Sequence, residues 1–230
     1  LEDARRRGDL MGENKSLSVM SLAFTQLGQT RKAIQLFEEQ LKVIRKLGDA
    51  DEELSLLANL GDAFAVSGEI ERAGIFYKEQ LLLADSAGNS LSIASALNGL
   101  GFISVKQNKI SRAIEFYSKA LKIYQEIENH EKELELLVGI GLNYQKMGQL
   151  EKTTDTLEEA LRTAKYLENR KEEAKISVDL GEIYFYRKNF ERINAYLNRA
   201  EEIINFREES WVGPLKQRLF FLRESMRSKK

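Results

Sequence analysis

The chain has 230 residues, 43% of them apolar and 31% charged, with 35 Lys and Arg against 36 Asp and Glu for a formal charge of −1. That balance argues against a nucleic-acid binder, which carries a basic excess. The absence of cysteine excludes disulfides, cysteine nucleophiles and thiolate metal sites. A single proline beside fifteen glycines describes a chain with many turns and almost no residue that forbids helix, which predicts medium-length helices throughout. No apolar run approaches the roughly 18–20 residues needed to span a bilayer. No signal-peptide pattern opens the chain either, so the expected location is cytoplasmic.

In chain order, residues 1–9 (LEDARRRGD) align with 41–49 (LKVIRKLGD). This predicts that the chain opens inside the second helix of an earlier unit and that the native protein extends further towards its N-terminus. Units are expected at 10–49, 50–89, 90–129, 130–169 and 170–208, all within one domain. In the second of them a helix is predicted from about Asp51 to Val66, a turn at Gly68, and a helix from about Ile70 to Ala87. Leu54, Leu57, Leu60, Gly61 and Phe64 recur at helical spacing in the first helix, and Ala73, Phe76, Tyr77, Leu81 and Ala84 in the second. Asp49 before Glu52, and Asn169 before Glu172, fit N-caps with a carboxylate three residues on.

The same positions return at a spacing of 40. Gly61 becomes Gly101, Gly141 and Gly181, while Gly68 becomes Gly28, Asn108, Gly148 and Lys188. A fixed period of this size marks a repeat architecture. The glycines near residue 61 lie inside helices, where each costs about 1 kcal/mol relative to alanine. Close contact between the two helices of a unit is the compensating gain. A phosphate-binding turn is excluded, because no strand precedes the glycines and they do not open a helix. Residues 209–230 lack the glycine. There Leu215, Leu219, Leu222 and Met226 form a stripe amid Lys216, Arg218, Arg223, Arg227, Lys229 and Lys230. A terminal capping helix is the first reading, and a basic amphipathic segment for a membrane surface or a partner helix is the second.

Leu57, Leu60-Gly61, Phe64, Gly68, Ala73 and Tyr77 resemble the tetratricopeptide repeat, and the resemblance runs over five copies, about residues 10–208. It implies an all-α, right-handed solenoid of antiparallel helix pairs. The chain departs from the family in period, which is usually about 34 residues with a proline closing the second helix. That proline position holds Arg45, Asp85, Gln125, Lys165 and Asn205 here. The second helix can then continue, which adds roughly 9 Å of helix.

No catalytic site is expected. His130 is the single histidine and reads as a solvated helix start. The paired carboxylates Glu38-Glu39, Glu158-Glu159 and Glu172-Glu173 fall at recurring repeat positions and read as solvated faces. No metal and no cofactor are expected, for want of an Asp-rich loop or a second histidine.

The family resemblance implies a binding groove lined by the first helices. Counting from the motif, the groove residues are Asn59 and Asp62, then Asn98, Phe102, Val105 and Lys106. Val138, Leu142, Gln145 and Lys146 follow, and finally Asp179 and Phe185. Gly99 and Val178 fall at groove-facing positions too. The charges of this surface cancel, which disfavours a phosphate backbone or a poly-acidic tail. Its apolar members lie where core packing does not require them. The expected function is a non-enzymatic scaffold that holds a peptide or amphipathic helix of a partner protein. Self-association through the same strip is the alternative for the surface. A peptide-sensing regulatory domain of a larger signalling or transcription-control protein is the alternative for the function.

Overall fold

The computed structural model describes residues 1–205 and 209–227; Lys229, Lys230 and the predicted boundary at 208 lie outside them. Among the described residues every regular element is an α-helix. The chain divides into two compact units, Leu1–Ile123 and Tyr124–Lys230. The fold class is all-α, with consecutive helices that pack in pairs, as the resemblance implies.

The first unit contains α1 (Glu2–Arg7), α2 (Leu10–Gln26), α3 (Thr30–Leu47), α4 (Ala50–Ser67), α5 (Ile70–Ala87) and α6 (Ser90–Lys106), with α7 (Ile110–Glu126) as far as Ile123. Helix α2 packs on α3, α4 on α5, and α5 on α6. The core follows the helical periodicity: Leu57, Leu60 and Phe64 of α4 meet Ala73 and Tyr77 of α5, and Ile34, Phe37 and Ile44 of α3 join the same cluster.

The second unit holds α8 (His130–Lys146), α9 (Leu150–Tyr166), α10 (Arg170–Tyr186), α11 (Phe190–Ile204) and α12 (Val212–Arg227). Helix α8 packs on α9 and α10 on α11, while α12 lies against α10 and α11. Leu136, Leu137, Leu157, Ile176, Leu180 and Ile183 are fully buried within it. Leu215, Leu219, Leu222 and Met226 give α12 its buried stripe.

Helices α2, α4, α6, α8, α10 and α11 start on a side-chain cap, whereas α3, α5 and α9 do not. Asp49 accepts from the Glu52 N–H at 3.0 Å and Asn169 from the Glu172 N–H at 3.1 Å, the two caps expected from the sequence. Helix ends are set by left-handed residues, which satisfy the last carbonyls. At the break between pairs this residue is Gly8, Gly48 and Gly88, but then Glu128 at φ 55° and Glu168 at φ 53°. A Cβ in that conformation costs roughly 1–2 kcal/mol. Glu168→Gly is therefore expected to raise stability by about 1 kcal/mol, and Gly88→Glu to lower it by about the same, both read from urea midpoints.

The in-register helical glycines make the close contacts their spacing implied. A Cβ on Gly61 would lie 2.5 Å from the Tyr77 ring, and one on Gly101 2.5 Å from Tyr117. On Gly141 it would lie 2.8 Å from Leu157, and on Gly181 2.6 Å from Leu197. Each pair joins the two helices of one unit at the same separation along the chain.

Candidate partner-binding surface

In the first unit the sequence-derived surface falls on α4 and α6, which pack on each other. Asn59 and Asp62 are exposed on α4, and Asn98 is partly exposed on α6. Phe102 is 37% exposed, large for an aromatic side chain that the core does not use. One turn on, the Lys106 ammonium lies 5.1 Å from its ring centroid. Val105 is partly exposed beside Lys106.

Asp62 is already engaged: the Tyr77 hydroxyl donates to its Oδ1 at 2.5 Å. Burial and this neighbouring carboxylate raise the Tyr77 hydroxyl far above the ordinary tyrosine value, so it stays a donor. Tyr77 reaches Asp62 by passing between Gly61 of α4 and Gly99 of α6, and a Cβ on either glycine would lie 2.5 Å from the ring. Gly99 is accordingly buried, not groove-facing as the helix count expects. The count is correct for its own helix and omits a ring arriving from the preceding one.

In the second unit Val138, Leu142, Gln145 and Lys146 share one face of α8, with Leu142 40% exposed and both polar residues exposed. Val178 of α10 is fully buried, so it leaves the surface set. Phe185 is partly exposed and stands edge-on to the exposed Tyr186, centroids 6.1 Å apart. Asp179 is taken up within the unit: Arg218 of α12 donates to its Oδ1 at 2.6 Å and, through Nε, to Glu182 Oε1 at 2.8 Å. Burial pushes the Asp179 carboxyl up against the pull of this arginine. Asp179 and Glu182 are thus both held by the protein's own guanidinium.

A second arginine of α12 is used in the same way. Arg223 bonds to Glu201 at 2.9 Å and to Asn194 at 2.8 Å. Among the described residues no His, Asp and Glu cluster is arranged to hold a metal, and no helix is long and apolar enough to cross a membrane.

Two other sequence expectations change. Glu173, read as part of a solvated face, has a side chain with no exposure, and Arg199 and Arg170 bond to it at 2.7 and 2.9 Å. Burial alone would raise its pKa, but the two hydrogen bonds outweigh burial and hold it below the ordinary carboxylate value. His130 is half-buried: its Nδ1 lies 2.9 Å from Glu133 Oε2, and its ring stands edge-on to Tyr166. Both changes come from partners on other turns or helices, which adjacent sequence does not show.

A periodic feature was also missed. Lys32 lies over Phe24, Arg72 over Phe64, Lys152 over Tyr144 and Arg192 over Tyr184. The signal was available, because each pair has the same separation and recurs at the 40-residue period.

Residues 92–165 match one family model described as tetratricopeptide repeat, and residues 16–51 match another. No curated protein matches the chain. Among solved structures, BtubC (BKLC) from P. vanneervenii is 22% identical with a TM-score of 0.77, over 91% of this chain and 89% of its own. A signal transduction ATPase with numerous domains from Pyrococcus horikoshii, which carries a tetratricopeptide-repeat sensor, is 19% identical with a TM-score of 0.80. It is matched over 94% of this chain but 34% of its own. The apo form of RapI gives a TM-score of 0.82 at 13% identity, over 94% of this chain and 61% of its own. At these identities the likeness carries the fold.

Proposed function

The chain belongs to the tetratricopeptide-repeat family, and we propose that it is a non-enzymatic interaction module whose first helices hold a peptide or helical segment of a partner protein. The observation that carries this reading is the exposed face of α6. There an aromatic side chain, Phe102, lies outside the core with a lysine over its ring and Asn98 one turn before it. Asparagine offers both a donor and an acceptor, suited to the backbone of a bound segment. In the second unit Leu142, flanked by Gln145 and Lys146, offers a similar apolar centre with a polar rim.

The remaining positions follow as the periphery of this surface. Asn59, Val105 and Lys106 in the first unit and Val138 in the second are at least partly exposed, and Phe185 is partly exposed where it packs against Tyr186. Asp62 and Asp179 serve first as acceptors for Tyr77 and Arg218. Their charge shapes the surface more than it recognises the partner.

The test is partner capture followed by titration with Phe102→Ala and, separately, Leu142→Asp. Loss of one aromatic or apolar anchor is expected to weaken binding by about 2 kcal/mol, close to thirtyfold. Undiminished affinity in both variants would remove the first-helix face from the proposal.

A second reading is that the module senses a peptide for a larger signalling protein. It is favoured by the likeness to the Pyrococcus horikoshii ATPase, whose repeats are a sensor and of whose chain this one matches 34%.

A further inference from the structure

At the 40-residue period, Phe24, Phe64, Ser104, Tyr144 and Tyr184 share one position, and Ile34, Gly74 and Ile114 share another. The first unit therefore has two missing side chains. Ser104 replaces the aromatic residue, and its hydroxyl turns back to the Leu100 carbonyl at 2.8 Å. Gly74 replaces an isoleucine that is buried in both neighbouring copies. A Cβ on Gly74 would meet only Ile103 Cγ2, at an ordinary contact of 3.6 Å, and Gly74 lines an open cleft.

Both truncated positions line one cleft between α5, α6 and the start of α7, with a volume of about 330 Å³. Ile70, Leu100, Ile103 and Phe116 supply its apolar lining. Lys78, Lys109 and Arg112 line it with one carboxylate, Glu71, and Arg112 also acts on Glu115 one turn on. Lys109 is bonded to the neutral Gln107 at 2.9 Å, which leaves its charge uncompensated. In the equivalent place Arg72 lies over Phe64 and is bonded to Glu38 and Glu69. Arg112 instead lies over Phe116, 5.4 Å from the ring centroid, on the wall of the cleft.

We propose that this cleft is a binding site for a small molecule that joins a compact apolar body to one carboxylate. The volume lies at the lower end of small-molecule pockets, roughly 300–1,000 Å³, and the mixed lining of apolar and cationic side chains suits an amphipathic anion. An excess of cations in the lining selects an anion, and a guanidinium pairs with a carboxylate through two parallel N–H donors. The site lies off the exposed face of α6 on which partner binding is proposed, so neither proposal depends on the other.

The test uses the full chain with hydrocinnamate, octanoate and the uncharged hydrocinnamamide, read from amide resonances in a proton–nitrogen correlation spectrum. Saturable shifts confined to residues 70–78 and 103–116 are expected with the two acids. The amide is expected to bind about tenfold more weakly, and Arg112→Gln to lose about that factor for the acids alone. Gly74→Ile restores the residue of the neighbouring copies. It should abolish the shifts while raising the melting temperature, since it fills the cleft and removes a mid-helix glycine. The proposal is overturned if neither acid gives saturable shifts, if acid and amide bind equally, or if a folded Gly74→Ile chain binds as before. Arg112→Gln alters only an exposed side chain, so the charge test stands even where Gly74→Ile fails to fold.

Discussion

Replacing both Arg170 and Arg199 with methionine is expected to remove about 3–5 kcal/mol of stability at neutral pH, the cost of leaving a buried charge without its partners. Glu173 has no exposed side-chain surface, whereas Arg199 and Arg170 are 36% and 44% exposed. The consequence is asymmetric. Glu173→Leu removes the buried charge and releases two arginines that water can reach, so its cost should be about 1 kcal/mol or less. The copy one period earlier carries Glu133 at this position, but the copy before that carries Ile93, so an aliphatic side chain is already accommodated there once.

Acidification separates the two variants further. In the native chain the Glu173 pKa lies below its ordinary value. Its contribution is therefore complete above the unfolded value, about 4.3, and is lost as pH falls through the folded one. In the double-methionine variant burial acts alone and raises that pKa, so the variant gains stability as the carboxyl takes up its proton. The gap between native and variant should be full at pH 7 and should shrink towards about pH 4. Urea unfolding at the two pH values measures it. A gap below about 1 kcal/mol at neutral pH, or one independent of pH, would show that Glu173 is not a buried charge.

The architecture was legible because contacts between paired helices repeat. Gly61, Gly101, Gly141 and Gly181 each meet the side chain sixteen positions later, so one physical requirement is written four times. Helix starts were legible for a similar reason, since an Asp or Asn cap acts on an N–H three residues away. The candidate surface was legible only to the level of which face a residue occupies. Phe102 and Leu142 are exposed, as their places on the helix allow. The count could not see Arg218 arriving on Asp179 from 39 residues away, or Arg199 on Glu173 from 26 away. Contacts of that kind depend on which neighbour covers a face, and they occur once. The cleft at Gly74 and Ser104 is the intermediate case: its evidence is a break in the period, visible once the unbroken copies are known to fill the space.

Gly99→Ala should lose about 1–2 kcal/mol, although alanine is the better helix former by about 1 kcal/mol. The added methyl carbon would lie 2.5 Å from Tyr77 Cδ1 and 2.7 Å from Cγ, near the stiff root of that side chain. The ring cannot retreat, because on its other side Gly61 stands equally close, and the hydroxyl is tethered to Asp62. Gly139, the next copy of this position, has nothing within 4 Å of a built Cβ. Gly139→Ala should therefore gain about 1 kcal/mol, so the same substitution changes sign between two copies of one motif. Tyr77→Leu supplies the coupling test, since leucine is the residue that serves Gly141 and Gly181 in the second unit. On that background Gly99→Ala should recover most of its loss, a coupling of about 1 kcal/mol or more in the double-mutant cycle. Equal losses for Gly99→Ala with and without Tyr77 would place the strain elsewhere and separate the glycine from the ring.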